Sequence, residues 1–327
     1  MADLRHIPAF LALALGLAIA GLFHLRLGAS PLSWAEVWGA VTAWQPENPA
    51  HNIVIEMRLP RLLSALTVGA ALGLAGALMQ GLTGNPLAEP GLLGINSGAA
   101  FFVVTGLLLV PGSTLSMLPW LAIAGAICAA LCVVLNAGRA VGSARLILAG
   151  VMTGALFSAL TIGILILDQQ GIETLRRWLT GSLAFESAGM RQMVTPFILL
   201  AAVIAVANIP ALNLFRLGDQ AAGLMGLNVA RFRLTLLLAI VLLAGASVAT
   251  AGPIGFVGLV APHLARLIFG TDYRLLLPAA TLIGAGLLVL GDILARLAVR
   301  PLELNTGIVT AIIGAPVFIF LVVRRVK

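Results

Sequence analysis

The chain has 327 residues, 61% of them hydrophobic and only 9% charged, with a formal net charge of +7. A soluble domain carries about 25% charged residues, so a water-solvated globule is excluded and lipid must be the solvent for most of this chain. The positive excess is arginine, since Lys327 is the only lysine; with so little polar surface it is read as short basic loops anchoring topology at the lipid boundary, not as a nucleic-acid surface.

The apolar runs are continuous and do not alternate, which favours helices over a barrel. A helical span needs roughly 20 apolar residues, so the length allows roughly nine to eleven of them. The pattern predicts an all-α, polytopic membrane helix bundle, one transmembrane domain over residues 1–327. Its ten spans are expected near 8–28, 61–82, 92–110, 117–136, 146–167, 193–212, 233–251, 256–268, 277–298 and 307–324. The first follows Arg5 and resembles the apolar part of a signal peptide. It runs on through Phe23 without a small-residue cleavage site, so it is read as a retained span.

An even number of spans puts both termini on one side, and the basic tail Arg324, Arg325, Lys327 assigns that side to the cytoplasm. The loops agree in sign. Cytoplasmic positions collect eleven of the 19 basic residues and outer positions eight. The outer segments also hold Glu36, Glu47, Glu56, Asp168, Glu173, Glu186 and Glu303, and a face with both signs suits docking.

Two loops are unlike the rest. The outer segment Asp168–Arg191 contains a stretch from Gly171 that reads as a short interfacial helix with Trp178 at headgroup depth. The inner segment Phe215–Arg233 is long for a bundle. Its glycines Gly218, Gly223 and Gly226 punctuate two short helical pieces, with Asp219 as the expected cap of the first. Such a piece is what a soluble partner can grip; the alternative is an interfacial helix with no partner. Within the spans, Gly69-x-x-x-Gly73 and Gly150-x-x-x-Gly154 have the spacing that lets helix backbones approach.

Several chemistries find no residues. A Walker A loop needs a lysine, and none stands in the interior of the chain. Neither His-Glu-x-x-His nor Gly-x-Ser-x-Gly occurs. The histidines His6, His24, His51 and His263 are dispersed, and Cys128 and Cys132 read as small packing residues. Asp292 lies four residues before Arg296, where a helix would pair them. That reads as local neutralisation near a span end, not as the midplane site of an ion-coupled transporter.

Four motifs carry a resemblance. They are Arg58-Leu-Pro-Arg-Leu with Gly76-Ala-Leu-Met-Gln80; Asn85-Pro-Leu-Ala-Glu-Pro-Gly-Leu-Leu-Gly94; Gly252-Pro-Ile-Gly-Phe-Val-Gly-Leu-Val-Ala-Pro-His-Leu-Ala-Arg266; and Gly291-Asp-Ile-Leu-Ala-Arg296 with Gly307-Ile-Val-Thr-Ala-Ile-Ile-Gly-Ala-Pro316. Together, over roughly residues 10 to 325, they resemble the FecCD family of permeases, the membrane subunits of type II ABC importers for ferric siderophores, haem and cobalamin.

The resemblance implies a permease with ten spans in a bacterial inner membrane. It implies a homodimer served by two cytoplasmic ATPase subunits and a periplasmic substrate-binding protein. It implies no enzyme activity and no cofactor in this chain, ATP and Mg being held by the ATPase partners. A ferric siderophore is the expected cargo, with haem and then cobalamin as alternatives; an ion-coupled secondary transporter is the competing class.

By the same resemblance Arg58, Arg61 and Arg296 are expected to meet acidic residues of the binding protein, with snorkelling at a span end as the plain alternative for the first two. Asn85, Leu87, Ser143 and Ala144 are expected at a cytoplasmic gate. Asp219, Gln220, Gly223, Leu224, Gly226 and Leu227 are expected to couple to the ATPase. Two departures stand out: Ser143-Ala144 differs from the hydroxyl-rich loop of the family's cobalamin member, and Glu303-Leu-Asn-Thr-Gly307 replaces the family's usual Glu-Leu-Pro-Val-Gly turn.

Overall fold

The structure is a computed structural model describing residues 4–109, 117–137, 143–167, 179–184, 188–300 and 302–325. Every expected span has a helical counterpart. Ile7–Arg26 is α1, Leu59–Thr83 is α4, Ile95–Leu109 is α5, Leu118–Ala137 is α6 and Ser143–Leu167 is α7. Ala188–Ala207 is α8, Val229–Ala251 is α11, Val257–Phe269 is α12, Tyr273–Leu297 is α13 and Thr306–Arg325 is α14. The short helices between them are α2 (Trp34–Thr42), α3 (Pro49–Asn52), α9 (Ile209–Phe215) and α10 (Asp219–Leu224). Among the described residues, seven helices are long and apolar enough to cross a membrane, and three further apolar helices are shorter. Below, the end of the bundle at which α1 finishes is termed upper and the opposite end lower.

The helices sort into an inner and an outer set. In the continuous helical run Pro49–Thr83 that includes α4, and in α11, 78% and 83% of the apolar window is buried inside the chain; in α1 and α8 the shares are 6% and 17%. An exposed Leu costs nothing against lipid tails, so the outer set needs no polar face. The inner set packs through small residues. An added Cβ on Gly69 would collide with the Gly284 carbonyl of α13, one on Gly73 with the Ala280 carbonyl, and one on Gly76 with Gly258 of α12. The expected close approach at Gly69 and Gly73 is therefore between α4 and α13. The Gly150 pair differs: Gly150 abuts the Leu92 carbonyl and Gly154 lies near Gly94, so this spacing admits a turn, not a second helix.

Two spans depart from expectation in form. The second is longer, because α3 runs through a wide π turn at Ile53–Arg58 straight into α4. The Leu59 N–H reaches back five residues to the Val54 carbonyl, the mark of that turn. The sixth is broken at Asn208, with Pro210 in the first turn of α9, where its missing N–H is tolerated.

Candidate functional site

At the upper end the α1, α4, α13 and α14 termini meet on one buried carboxylate. Asp292 is fully buried. Arg61 donates to it from Nε at 2.9 and 3.1 Å and from Nη2 at 2.9 Å. Thr306 Oγ1 donates at 2.7 Å, and His24 Nε2, in the protonated-Nε2 tautomer, at 2.9 Å. Arg296, one turn on, brings Nε to 3.2 Å of the same carboxylate and donates from Nη2 to the His24 carbonyl at 3.1 Å. The expected Asp292–Arg296 pair is present as one edge of a larger network. The bidentate fork of Arg61 is its strongest link.

Arg58, Arg61 and Arg296 are only 6%, 9% and 2% exposed, and their heads already have partners. Arg58 donates to the carbonyls of Leu25 and Arg26 at 2.8 and 2.6 Å, and to that of Ser30. It neither snorkels to lipid nor presents an open fork; it fastens the chain that leaves α1. The three arginines instead form the floor of an upper cleft of about 470 Å³, which Glu56 and Glu303 also line. Arg61 also holds a partly exposed carboxylate, Glu303, at 2.6 Å from Nη1.

The turn before α14 is firmly held despite its departure from the family pattern. Asn305, in place of the proline, donates to Thr180 Oγ1. Thr306, in place of the valine, makes the bond to Asp292. The Gly307 N–H donates to the Gly181 carbonyl at 2.9 Å. The segment Asp168–Trp178, with its expected interfacial helix, lies outside the described residues.

Toward the lower end α4 closes at Gly84 in the left-handed region, φ 64°. Asn85 then folds back on itself. Its Oδ1 accepts the Leu87 N–H at 3.0 Å, and its own N–H donates to Thr83 Oγ1 at 3.3 Å. This is an Asx turn, which holds the expected gate segment by local bonds. Ser143 and Ala144 open α7, and their side chains lie outside the described residues. Further along the turn, Glu89 accepts the Phe256 N–H at 2.8 Å. Phe256 sits at φ 68°, the only non-glycine at positive φ among the described residues. The second and third motifs thus meet at the start of α12, a junction that spacing alone did not reveal.

At the lower surface α10 is one short exposed helix. Asp219 does not cap it. Gly218 occupies the cap at φ 96°, and Asp219 is the first helical residue, paired with Arg233 of α11. Gly218 and Gly226, at φ 96° and 90°, are the glycines the turns require; Gly223 is an ordinary helical position with open space around it. Asp219, Gln220, Gly223 and Gly226 are exposed, Leu224 is 91% exposed, and Met225 and Leu217 stand beside it. Leu227 turns inward and packs on the core. A lower cleft of about 380 Å³ separates this elbow from the end of α4, lined by Thr83, Arg216, Arg266 and Thr271. Asp272 caps α13 nearby, and the Arg274 backbone N–H holds its carboxyl below the usual range.

A bundle of long apolar helices, with a charged cleft at one end and an exposed elbow at the other, is the architecture of a multi-pass membrane protein. Residues 16–324 match the FecCD transport family, and the chain belongs to that family. It is 42% identical over 318 residues to FepD, the ferric enterobactin transport system permease protein of Escherichia coli strain K12, spanning 96% of this chain and 95% of that one. It is 40% identical over 320 residues to HmuU, the hemin transport system permease protein of Yersinia pestis, spanning 94% and 93%. A solved metal-chelate type ABC transporter in an inward-facing conformation superposes with a TM-score of 0.85 at 32% identity, covering 97% of this chain and 99% of that one.

Proposed function

We propose that this chain is the permease subunit of an ATP-binding-cassette importer that carries a ferric siderophore, or a metal chelate of similar bulk, across a bacterial inner membrane by alternating access. The observation that carries this reading is the unbroken family match over residues 16–324, with relatives named for a ferric siderophore and for hemin at nearly equal identity. That near-equality keeps haem as the second cargo. Two copies of the chain would enclose the path, two ATPase subunits would hold ATP and Mg, and a periplasmic binding protein would deliver the chelate. In this reading the upper end faces the periplasm and both termini the cytoplasm. Gate residues Asn85, Leu87, Ser143 and Ala144 close the inner mouth. The exposed α10 elbow, from Asp219 to Leu227, is the grip for the ATPase.

Reconstitution tests it. Uptake of the chelate into proteoliposomes is expected to require ATP, the cognate ATPase and the binding protein. Gly223→Pro places a ring against the turn of α10 and removes an N–H at a site where nothing else is touched. It is expected to insert normally and retain ATP hydrolysis while uptake falls to background. Undiminished uptake in that variant would remove α10 from the coupling path. Vanadate-insensitive uptake without any ATPase would overturn the import reading in favour of an ion-coupled transporter.

The upper cleft is the proposed docking site, with Arg58, Arg61 and Arg296 as its floor. Glu303 then occupies the place on Arg61 that an incoming carboxylate of the binding protein takes over. Glu303→Gln removes the competitor, so capture of the loaded binding protein should tighten, by roughly threefold to tenfold, equivalent to about 0.7–1.4 kcal/mol. The gain should shrink as salt rises. Weaker capture, or a change indifferent to salt, would take Arg61 out of the docking contact.

A further inference from the structure

The helix α2 is short, and its two sides are unalike. Val37 and Ala40 are 4% and 1% exposed and seat it on the upper hydrophobic cluster. Gly39 lets it lie against the His51 ring, 3.0 Å from where a Cβ would stand. The other side shows Trp34, Trp38 and Val41, at 43%, 69% and 57% exposure. These are i, i+4 and i+7, one stripe on a helix. Trp44, just past the end, is 48% exposed and donates its indole N–H to Asn52 Oδ1 at 3.3 Å. The only charge in α2, Glu36, is turned to its own N-terminus, where the Ser33 hydroxyl and N–H bond its carboxylate at 2.7 Å. Those bonds hold its carboxyl below the usual range, the hydroxyl first.

A helix whose open side bears two indoles and no charge is not dressed for water. Nor is that side dressed for the charged cleft, whose residues lie on other segments. It is continuous, however, with a surface already assigned to lipid. Phe23, on the open face of α1 with Ile19 and Leu22, meets Trp34 edge to face at 5.5 Å between centroids. The Arg26 guanidinium, which ends α1, lies over the same indole at 4.9 Å. An arginine closing an apolar span and an indole beside it mark headgroup depth.

We infer that α2 is an interfacial membrane anchor, lying along the upper lipid surface with Trp34 and Trp38 among the headgroups and upper acyl carbons. The inference rests on the multi-pass reading of the chain and not on the transported cargo. Indoles hold that depth because an apolar body and an N–H donor favour the boundary. The anchor would fix the height of the α1–α4 connection, including Gly28–Ser30 on the rim of the upper cleft.

The test uses the full chain in vesicles of phosphatidylcholine brominated at acyl carbons 6,7 or 11,12. All tryptophans but Trp38 are replaced by phenylalanine. Trp38 emission is expected to be quenched strongly by the shallow bromines and weakly by the deep ones. A nitroxide scan, with Cys128 and Cys132 replaced by alanine and labels placed singly at positions 34, 37, 38, 40 and 41, serves if that variant does not fold. Oxygen should broaden 34, 38 and 41 more than a water-soluble nickel chelate does, while 37 and 40 are shielded from both. Failure of both bromine positions to quench, or preferential nickel access at 34 and 38, overturns the anchor. So does shielding of Trp38 that appears only when the binding protein is added, which would make the stripe a protein-docking face. None of these failures affects ATP-dependent uptake, which stands or falls separately.

Discussion

Asp292→Ala is expected to destabilise the folded chain by about 3–5 kcal/mol, the range for removing one partner of a buried ion cluster. The physical reason is what stays behind. Arg61 and Arg296 are 9% and 2% exposed, and without Asp292 two guanidiniums share a buried site in which the paired carboxylate left, Glu303 on Arg61, is itself partly in water. His24 and Thr306 lose an acceptor at the same stroke. Burial of an uncompensated cation costs far more than the pair contributes when intact. The measurement is the thermal midpoint for loss of the monodisperse species in detergent. Asp292→Asn, which keeps the shape and one acceptor oxygen, should fall between alanine and the parent. Glu303→Gln should stay within about 1 kcal/mol, because its carboxylate is partly in water and such pairs contribute little. An alanine variant melting with the parent would mean that the network is dispensable to the fold.

The helices of that network were legible one at a time, and their meeting was not. Spans are readable because lipid demands long unbroken apolar runs, and the i, i+4 spacing gave Asp292–Arg296 directly. The bond from His24 to Asp292 crosses 268 positions, which no local pattern encodes. His24 sat at the end of an apolar helix, an expensive place for an imidazole unless something receives it, and that cost was the one available signal. The direction of the arginine heads is hidden for a related reason. Hydropathy places Arg58 and Arg61 at a span boundary but says nothing of which way the helix is rotated. The π turn at Ile53–Arg58 resets that rotation, so both heads point into the chain and the cleft inherits their floor. At the lower end Gly218 and Gly226 punctuate the elbow at positive φ, but Gly223 does not: it sits inside the single helix α10, and spacing alone does not separate the three. Asp219 looked like a cap by residue type, yet Gly218 takes that position and Arg233 takes the carboxylate.

The second large effect is expected at Gly76. Here α4 touches the start of α12 backbone to backbone: a Cβ on Gly76 would overlap the carbonyl of Gly258, and one on Gly258 would come within 3.0 Å of Pro90 Cδ and 3.1 Å of the Leu72 carbonyl. The atoms obstructing Gly76 are all main chain, so no rotamer change relieves them. Either α12 moves away or α4 bends. Two residues before Gly258 stands Phe256, strained at φ 68°, held by Glu89 and packed where Gly314 of α14 leaves no Cβ. Displacing α12 therefore pulls on the gate turn and on the last span together, and relaxation is blocked on each side. Gly76→Val should cost more than the roughly 1–3 kcal/mol of ordinary overpacking. Loss of uptake and an early-melting species in detergent are the expected readouts, with Gly76→Ala milder but clearly impaired. Gly16→Ala in α1 is the matched control, since a Cβ there meets nothing within 4 Å and exchanges glycine for the better helix former. If Gly76→Ala transported as well as Gly16→Ala, the α4–α12 contact could not be as tight as its geometry requires. The strained corner at Phe256 would then have room to relax, and it would no longer be the point through which the gate turn and α14 are held together.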